Sequence, residues 1–118
     1  MTRLRVLVVE DEGLVAMMLE DVLDDLGCDL AGSFGGVAQA LAWIEAGGEA
    51  DAALLDVNLS GETVFPVAEA LAARGVPFAF TTGYGVTDDP RFKDAVCLGK
   101  PISLGRLIEA LKGFGYEG

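Results

Sequence analysis

The chain contains no histidine. That absence excludes Ser-His-Asp triads, zinc sites built on imidazole, and any phosphohistidine of its own. Cysteine is scarce as well. Cys28 and Cys97 are the 2 present, too few for a disulfide framework, and each reads as a small packing residue rather than a reactive thiol. No apolar run approaches the roughly 20 residues of a membrane span. The first such run, Val6 to Val9, is cut off by Glu10-Asp11, well short of the apolar stretch of a secretory signal. The expectation is a cytoplasmic protein with reduced thiols and no membrane contact. Positive charge is the remaining deficit. Against 19 acids stand 8 bases, a net charge of −11, and no base lies between Val6 and Ala73. Such a surface repels phosphate backbones and anionic lipid, so no nucleic acid is expected as a partner.

What is present suits one globular domain. A length of 118 residues with 52% hydrophobic side chains is enough for a single core and too apolar for disorder. No repeat, linker or low-complexity tract divides the chain, so residues 1–118 read as one domain with no output domain attached.

Apolar runs of strand length alternate with apolar residues at helical spacing. Leu4 to Val9 reads as a buried strand. Glu10-Asp11-Glu12 then places negative charge where a helix opens. Val15, Met18, Leu19, Val22 and Leu26 follow on one helical face, stopped by Gly27. A weakly patterned strand is expected at Asp29 to Ser33. A helix with Val37, Ala40, Leu41 and Ile44 comes next, flanked by Trp43 and ended by Gly47-Gly48. Ala52 to Leu55 forms a third strand ending at Asp56. Val64, Val67, Ala68 and Leu71 mark a third helix, closed by Gly75. Phe78 to Thr81 forms the fourth strand, with Pro77 at its start where a missing N–H is tolerated. Ala95 to Leu98 and a last helix with Leu104, Leu107, Ile108 and Leu111 inward complete the pattern. Five βα units predict a parallel sheet with helices on both faces, flavodoxin-like, in strand order 2-1-3-4-5.

In such a sheet the crevice lies outside the carboxyl ends of the strands. Strand 1 delivers Glu10 and Asp11 there, strand 3 Asp56, strand 4 Thr82, and strand 5 is followed by Lys100-Pro101. Three carboxylates that close cannot all stay ionised without compensating charge. One lysine supplies part of it, and a hard divalent cation with oxygen ligands, Mg²⁺ rather than zinc, suits the remainder. An aspartate flanked by metal, lysine and hydroxyl is equipped to attack a phosphoryl group.

With those motifs the chain resembles the response-regulator receiver domains of bacterial two-component signalling over essentially its whole length. The matching segments are Glu10-Asp11, Asp56-Val57-Asn58-Leu59-Ser60-Gly61, Thr82 and Lys100-Pro101. The resemblance implies a signalling phosphoacceptor rather than an enzyme. Asp56 would accept the phosphoryl group, and Mg²⁺ would be held by Glu10, Asp11, Asp56 and the Asn58 carbonyl. Thr82 would hydrogen-bond the phosphoryl group, Lys100 would pair with it, and Pro101 would form a cis peptide. The implied partner is a histidine kinase or phosphotransfer protein.

Two departures from the usual pattern concern the switch. The position three residues before Lys100, ordinarily Tyr or Phe, is Cys97. After Thr82, where Ala or a similar small residue is usual, stands Gly83, then Tyr84 and Gly85. The run Pro77 to Tyr84 resembles the subfamily named for its Phe-Ala-Thr-Gly-aromatic motif, with Thr81 in place of Ala. Its members are commonly single-domain partners of HWE-type histidine kinases. Tyr84 is thus a candidate to replace the missing switch or to shield an acyl phosphate. The glycines and Pro90 between Gly83 and Asp94 predict a short, displaced or mobile fourth helix.

With Val15, Val22 and Leu26 inward, Leu14 and Met17 fall on the outer face of the first helix, a candidate docking surface for a partner helix. Two rival functions remain at this level. An Asp-nucleophile phosphohydrolase of the haloacid-dehalogenase type also carries an aspartate after a strand, but requires a second Asp where Asn58 stands. An inert receiver-like binding module would keep the fold without the chemistry.

Overall fold

A computed structural model of the chain describes residues 3–83 and 89–117. Five strands, β1 (Arg5–Val9), β2 (Asp29–Phe34), β3 (Ala52–Asp56), β6 (Phe78–Thr82) and β7 (Val96–Gly99), pair in parallel in the order β2-β1-β3-β6-β7. This is the expected flavodoxin-like order. A short antiparallel hairpin, β4 (Asn58–Leu59) with β5 (Glu62–Thr63), lies between β3 and the next helix. The helices are α1 (Gly13–Asp25), α2 (Val37–Glu45), α3 (Phe65–Ala73) and α4 (Leu104–Gly113). No helix among the described residues is long and apolar enough to cross a membrane.

Alternation along the central strands divides the core in two. Leu7, Val9, Ala53, Leu55 and Phe80 face Val37 and Ile44 of α2 and Val67 and Leu71 of α3. Val6, Val8, Leu54, Ala79 and Leu98 pack with Leu19 and Leu23 of α1 and Leu107 and Leu111 of α4. A strand buried on both faces needs apolar side chains in both directions, which is why β1 and β3 read as continuous runs. Phe80 sits at the centre of an aromatic group, its ring 5.7 Å from Phe65, 5.3 Å from Phe78 and 5.4 Å from Phe92. Trp43 packs at the edge of the α2–α3 core. Pro66 lies in the first turn of α3, where its missing N–H is no loss. The Ser103 hydroxyl caps α4 by accepting from the Arg106 backbone N–H at 3.2 Å.

Two residues assigned to the core lie outside it. Met18 is 66% exposed and Leu104 55% exposed. The buried stripe of α1 is Ala16, Leu19 and Leu23, rotated away from Met18, and that of α4 is Leu107, Ala110 and Leu111, which leaves Leu104 exposed as the first residue of the helix. Between β6 and β7 the described residues contain no α-helix. They form a single 3₁₀ turn at Pro90–Phe92, consistent with the expected irregular fourth helix. Tyr84 lies outside the described residues.

Replacing Phe80 with Ala is expected to cost about 3–5 kcal/mol in urea unfolding, since the cavity cannot close between packed rings. Met18→Ala is expected to stay within about 0.5 kcal/mol. A Met18→Ala loss comparable to that of Phe80→Ala would contradict the placement of the core.

Candidate functional site

Four elements end at one rim of the sheet. β1 runs into Glu10 and Asp11, β3 ends on Asp56, β6 ends on Thr82, and β7 leads into Lys100. Apolar runs fill the middle of each strand, Val6 to Val9, Ala52 to Leu55, Phe78 to Phe80 and Val96 to Leu98, and their burial carries the polar groups that follow to one rim of the core. Ligand oxygens of Glu10, Asp11 and Asp56 lie within 4.8 Å of one another. Lys100 Nζ donates to Glu10 Oε2 at 3.0 Å and to Asp56 Oδ2 at 3.1 Å. The Lys100–Pro101 peptide is cis.

Backbone groups complete the cradle. Asp56 Oδ1 accepts from the Asn58 N–H at 3.3 Å, and Glu10 Oε1 accepts from the Glu12 N–H at 3.1 Å. Thr82 is buried at the tip of β6, and its carbonyl accepts from the Lys100 N–H at 3.0 Å, joining the β6 and β7 ends. The Asn58 side chain is turned to its own hairpin, where its Oδ1 accepts from the Gly61 N–H at 3.0 Å. Ser60 also enters, donating from its hydroxyl to Asp11 Oδ2 at 2.7 Å.

The electrostatics follow from three carboxylates and one ammonium. Burial pushes the Glu10 carboxyl up to about 7, while the Glu12 N–H and Lys100 pull it the other way. The Ser60 hydroxyl holds Asp11 below the usual carboxylate range. Burial alone would lower the Lys100 pKa, but its bonds to Glu10 and Asp56 outweigh that and raise it. With Lys100 charged and all three acids ionised, the group carries 3 − 1 = 2 excess negative charges. The donor set is oxygen throughout and close-set, which fits a hard divalent cation such as Mg²⁺.

The other candidates lie elsewhere. Cys97 is half-buried on β7, paired in register with Phe80 and packed against that core. Burial raises the Cys28 thiol, which keeps it protonated and inert. Leu14 and Met17 are exposed on α1. Met18 and Leu104, both expected inside, instead line an apolar groove of about 250 Å³ between α1 and α4, together with Val15, Leu19 and Ile102. Ser60 was absent from the expected site, although Ser-Gly is a turn signal that could have marked a hairpin after Asp56.

Without a cation, the folded protein favours protonated Glu10. Its raised pKa gives a contribution to stability that is complete below about 4.5 and is lost as pH rises through about 7. Glu10→Gln removes the charge at every pH. In EDTA it is therefore expected to be more stable than wild type at pH 8, by about 1–3 kcal/mol, with the gap closing toward pH 5. A thermal melt showing Glu10→Gln less stable at pH 8 would contradict the electrostatic account.

The chain is similar over nearly its full length to solved structures. SdrG from Sphingomonas melonis Fr1 is 49% identical at a TM-score of 0.83, with 97% of this chain and 98% of that chain covered. The BeF3-activated conformation of SdrG from Pseudomonas melonis Fr1 is also 49% identical, at a TM-score of 0.74, covering 95% and 97%. The receiver (REC) domain of the Erythrobacter litoralis response regulator PhyR is 27% identical at a TM-score of 0.83, covering 95% and 89%. No protein-family model and no curated protein sequence matches the chain. Shared sequence, a shared five-stranded sheet and an acidic cluster at the strand tips converge: the chain belongs to the response-regulator receiver domains of two-component signalling.

Proposed function

We propose that this receiver accepts a phosphoryl group on Asp56. The observation that carries the reading is the placement of Lys100, bonded at once to Glu10 and Asp56 beside a third carboxylate. A carboxylate oxygen of Asp56 attacks phosphorus, a P–O bond forms, and the bond to the donor breaks. With a phosphohistidine donor, the imidazole nitrogen leaves and takes up a proton. The donor histidine lies on another molecule, because this chain has none.

Glu10, Asp11, Asp56 and the Asn58 carbonyl would hold Mg²⁺. Bound there, the ion would neutralise charge on the transferring phosphoryl oxygens and bring donor and acceptor together. Lys100 would offset part of the same charge, as an ammonium whose raised pKa keeps it protonated. Thr82, buried at the β6 tip, offers a hydroxyl to the acyl phosphate. Tyr84, two residues past Thr82 in the sequence, is the residue that would replace the aromatic switch missing at Cys97 or shield the acyl phosphate. Leu14 and Met17, exposed on α1, form the surface on which a histidine kinase of the HWE type or a phosphotransfer protein docks. BeF3 activation of the related SdrG is in keeping with this chemistry. A phosphohydrolase of the haloacid-dehalogenase type would need a general acid at Asn58, whose amide oxygen is already engaged by Gly61.

Incubation with acetyl phosphate and Mg²⁺ is expected to add one phosphoryl group, read by intact mass, and the addition is expected to vanish with EDTA or in Asp56→Asn. With a phosphorylated histidine kinase as donor, Leu14→Asp and Met17→Asp are expected to label more slowly than wild type. No labelling of wild type would refute the phosphoacceptor reading in favour of an inert module. Continuous release of phosphate at many turnovers per minute would refute it in favour of a hydrolase. Equal rates from the kinase would remove Leu14 and Met17 from the docking surface.

A further inference from the structure

Ser60 is the one described non-glycine residue with a left-handed backbone, at φ 52°, and Gly61 follows at φ 93°. The two residues form the whole turn of the β4–β5 hairpin, since Leu59 pairs with Glu62. Two successive positive φ values match the twist of a two-residue hairpin, and the first position ordinarily favours Asn, Asp or Gly. A serine there costs about 1 kcal/mol relative to glycine. The hairpin does not depend on the hydroxyl for closure. The Asn58 side chain already accepts from the Gly61 N–H, and Asn58 pairs with Thr63. The Ser60 hydroxyl is turned the other way, across 49 residues of sequence, onto Asp11 Oδ2 at 2.7 Å.

That bond acts on the one carboxylate of the cluster that Lys100 does not hold. Glu10 and Asp56 are buried and bonded to Lys100. Asp11 lies at the exposed rim of the same cluster and has no ion pair with Lys100. A hydroxyl bonded to one oxygen sets the rotation of the carboxylate and so the place of the other oxygen. Such an outer partner commonly governs how well a ligand is presented to a cation. It also ties the β4–β5 hairpin, which carries Asn58, to the loop between β1 and α1.

We propose that Ser60 is a positioning residue for the cation: its hydroxyl fixes the Asp11 carboxylate beside Glu10 and Asp56. The inference rests on the proposed reading of those three acids as a Mg²⁺ site. It is specific to the serine hydroxyl, and a residue kept only to shape the hairpin turn would behave differently on substitution.

Ser60→Gly separates the two roles, because glycine is the better residue for the left-handed turn and lacks the hydroxyl. Calorimetric titration with MgCl₂ is expected to show about 10-fold weaker binding in Ser60→Gly than in wild type. Urea unfolding in EDTA is expected to show the variant at least as stable as wild type. Ser60→Thr, which keeps the hydroxyl but places a β-branched residue in the left-handed region, is expected to reverse the pattern. It should bind Mg²⁺ near the wild-type affinity and lose stability. Wild-type affinity in Ser60→Gly would overturn the proposal while leaving the reading of the acids intact. Weaker binding matched by an equal loss of stability in EDTA would also overturn it, making Ser60 a support of the hairpin. Absence of Mg²⁺ binding in wild type itself would overturn the site reading and this proposal together.

Discussion

The ammonium of Lys100 lies 3.0 Å from Glu10 and 3.1 Å from Asp56, with Asp11 in the same cluster. The contact is strong because the two acids it binds are buried and poorly solvated, and it is incomplete because one positive charge faces three carboxylates. Breaking it would leave two buried carboxylates without their counter-charge, which in general costs far more than a surface pair contributes. The pair on Arg5, by contrast, joins Asp51 and Glu49 at the opposite end of the sheet with Arg5 well exposed. It can fasten strand ends together without storing unbalanced charge. One end of the sheet is thus tied, and the other is poised.

The rest of the fold serves to make that crowding possible. Glu10, Asp56 and Lys100 come from three strands separated by 44 to 90 positions. Only a parallel sheet, with its helical crossovers returning each strand to the same edge, brings such tips together. Packing of α1 and α4 on one face, and of α2 and α3 on the other, fixes the strands rigidly enough for carboxylates to be held against their repulsion. The same arrangement means that charge added at Asp56, or a cation bound among the acids, is felt at once by Lys100, by the β6 tip through the Thr82–Lys100 backbone bond, and by Asp11. Beyond the rim, α1 exposes Leu14 and Met17, and Met18 and Leu104 edge an apolar groove between α1 and α4.

Much of this was legible in the residues. The stripes of α2 and α3 are regular because each helix buries one face in the same core. The site acids and Lys100 could be placed because strand tips in a parallel sheet are equivalent positions. Met18 and Leu104 share the spacing of the buried stripes yet are exposed, because helical spacing tells which residues share a stripe, not where the stripe's edge meets solvent. The β4–β5 hairpin has two residues per strand, too few to show any periodicity. Ser60's bond to Asp11 joins residues 49 apart and leaves no local pattern. The partners of Lys100 could be expected in kind, but the sharing of one ammonium by Glu10 and Asp56 is a property of the assembled tips. Between β6 and β7, glycine and proline foretold the loss of a regular helix, while Tyr84 lies outside the described residues.

Because Glu10, Asp11 and Asp56 are all carboxylates within reach of one another, the acceptor is identified by where the acyl phosphate resides rather than by which variant is silent. Borohydride reduction of the phosphorylated protein converts the modified aspartate to homoserine, and peptide mass mapping then locates it. Homoserine is expected at residue 56 alone, formed only in samples that received acetyl phosphate and Mg²⁺. Conversion at residue 11, a reduced acyl phosphate at residue 10, or no conversion in fully labelled protein would contradict it.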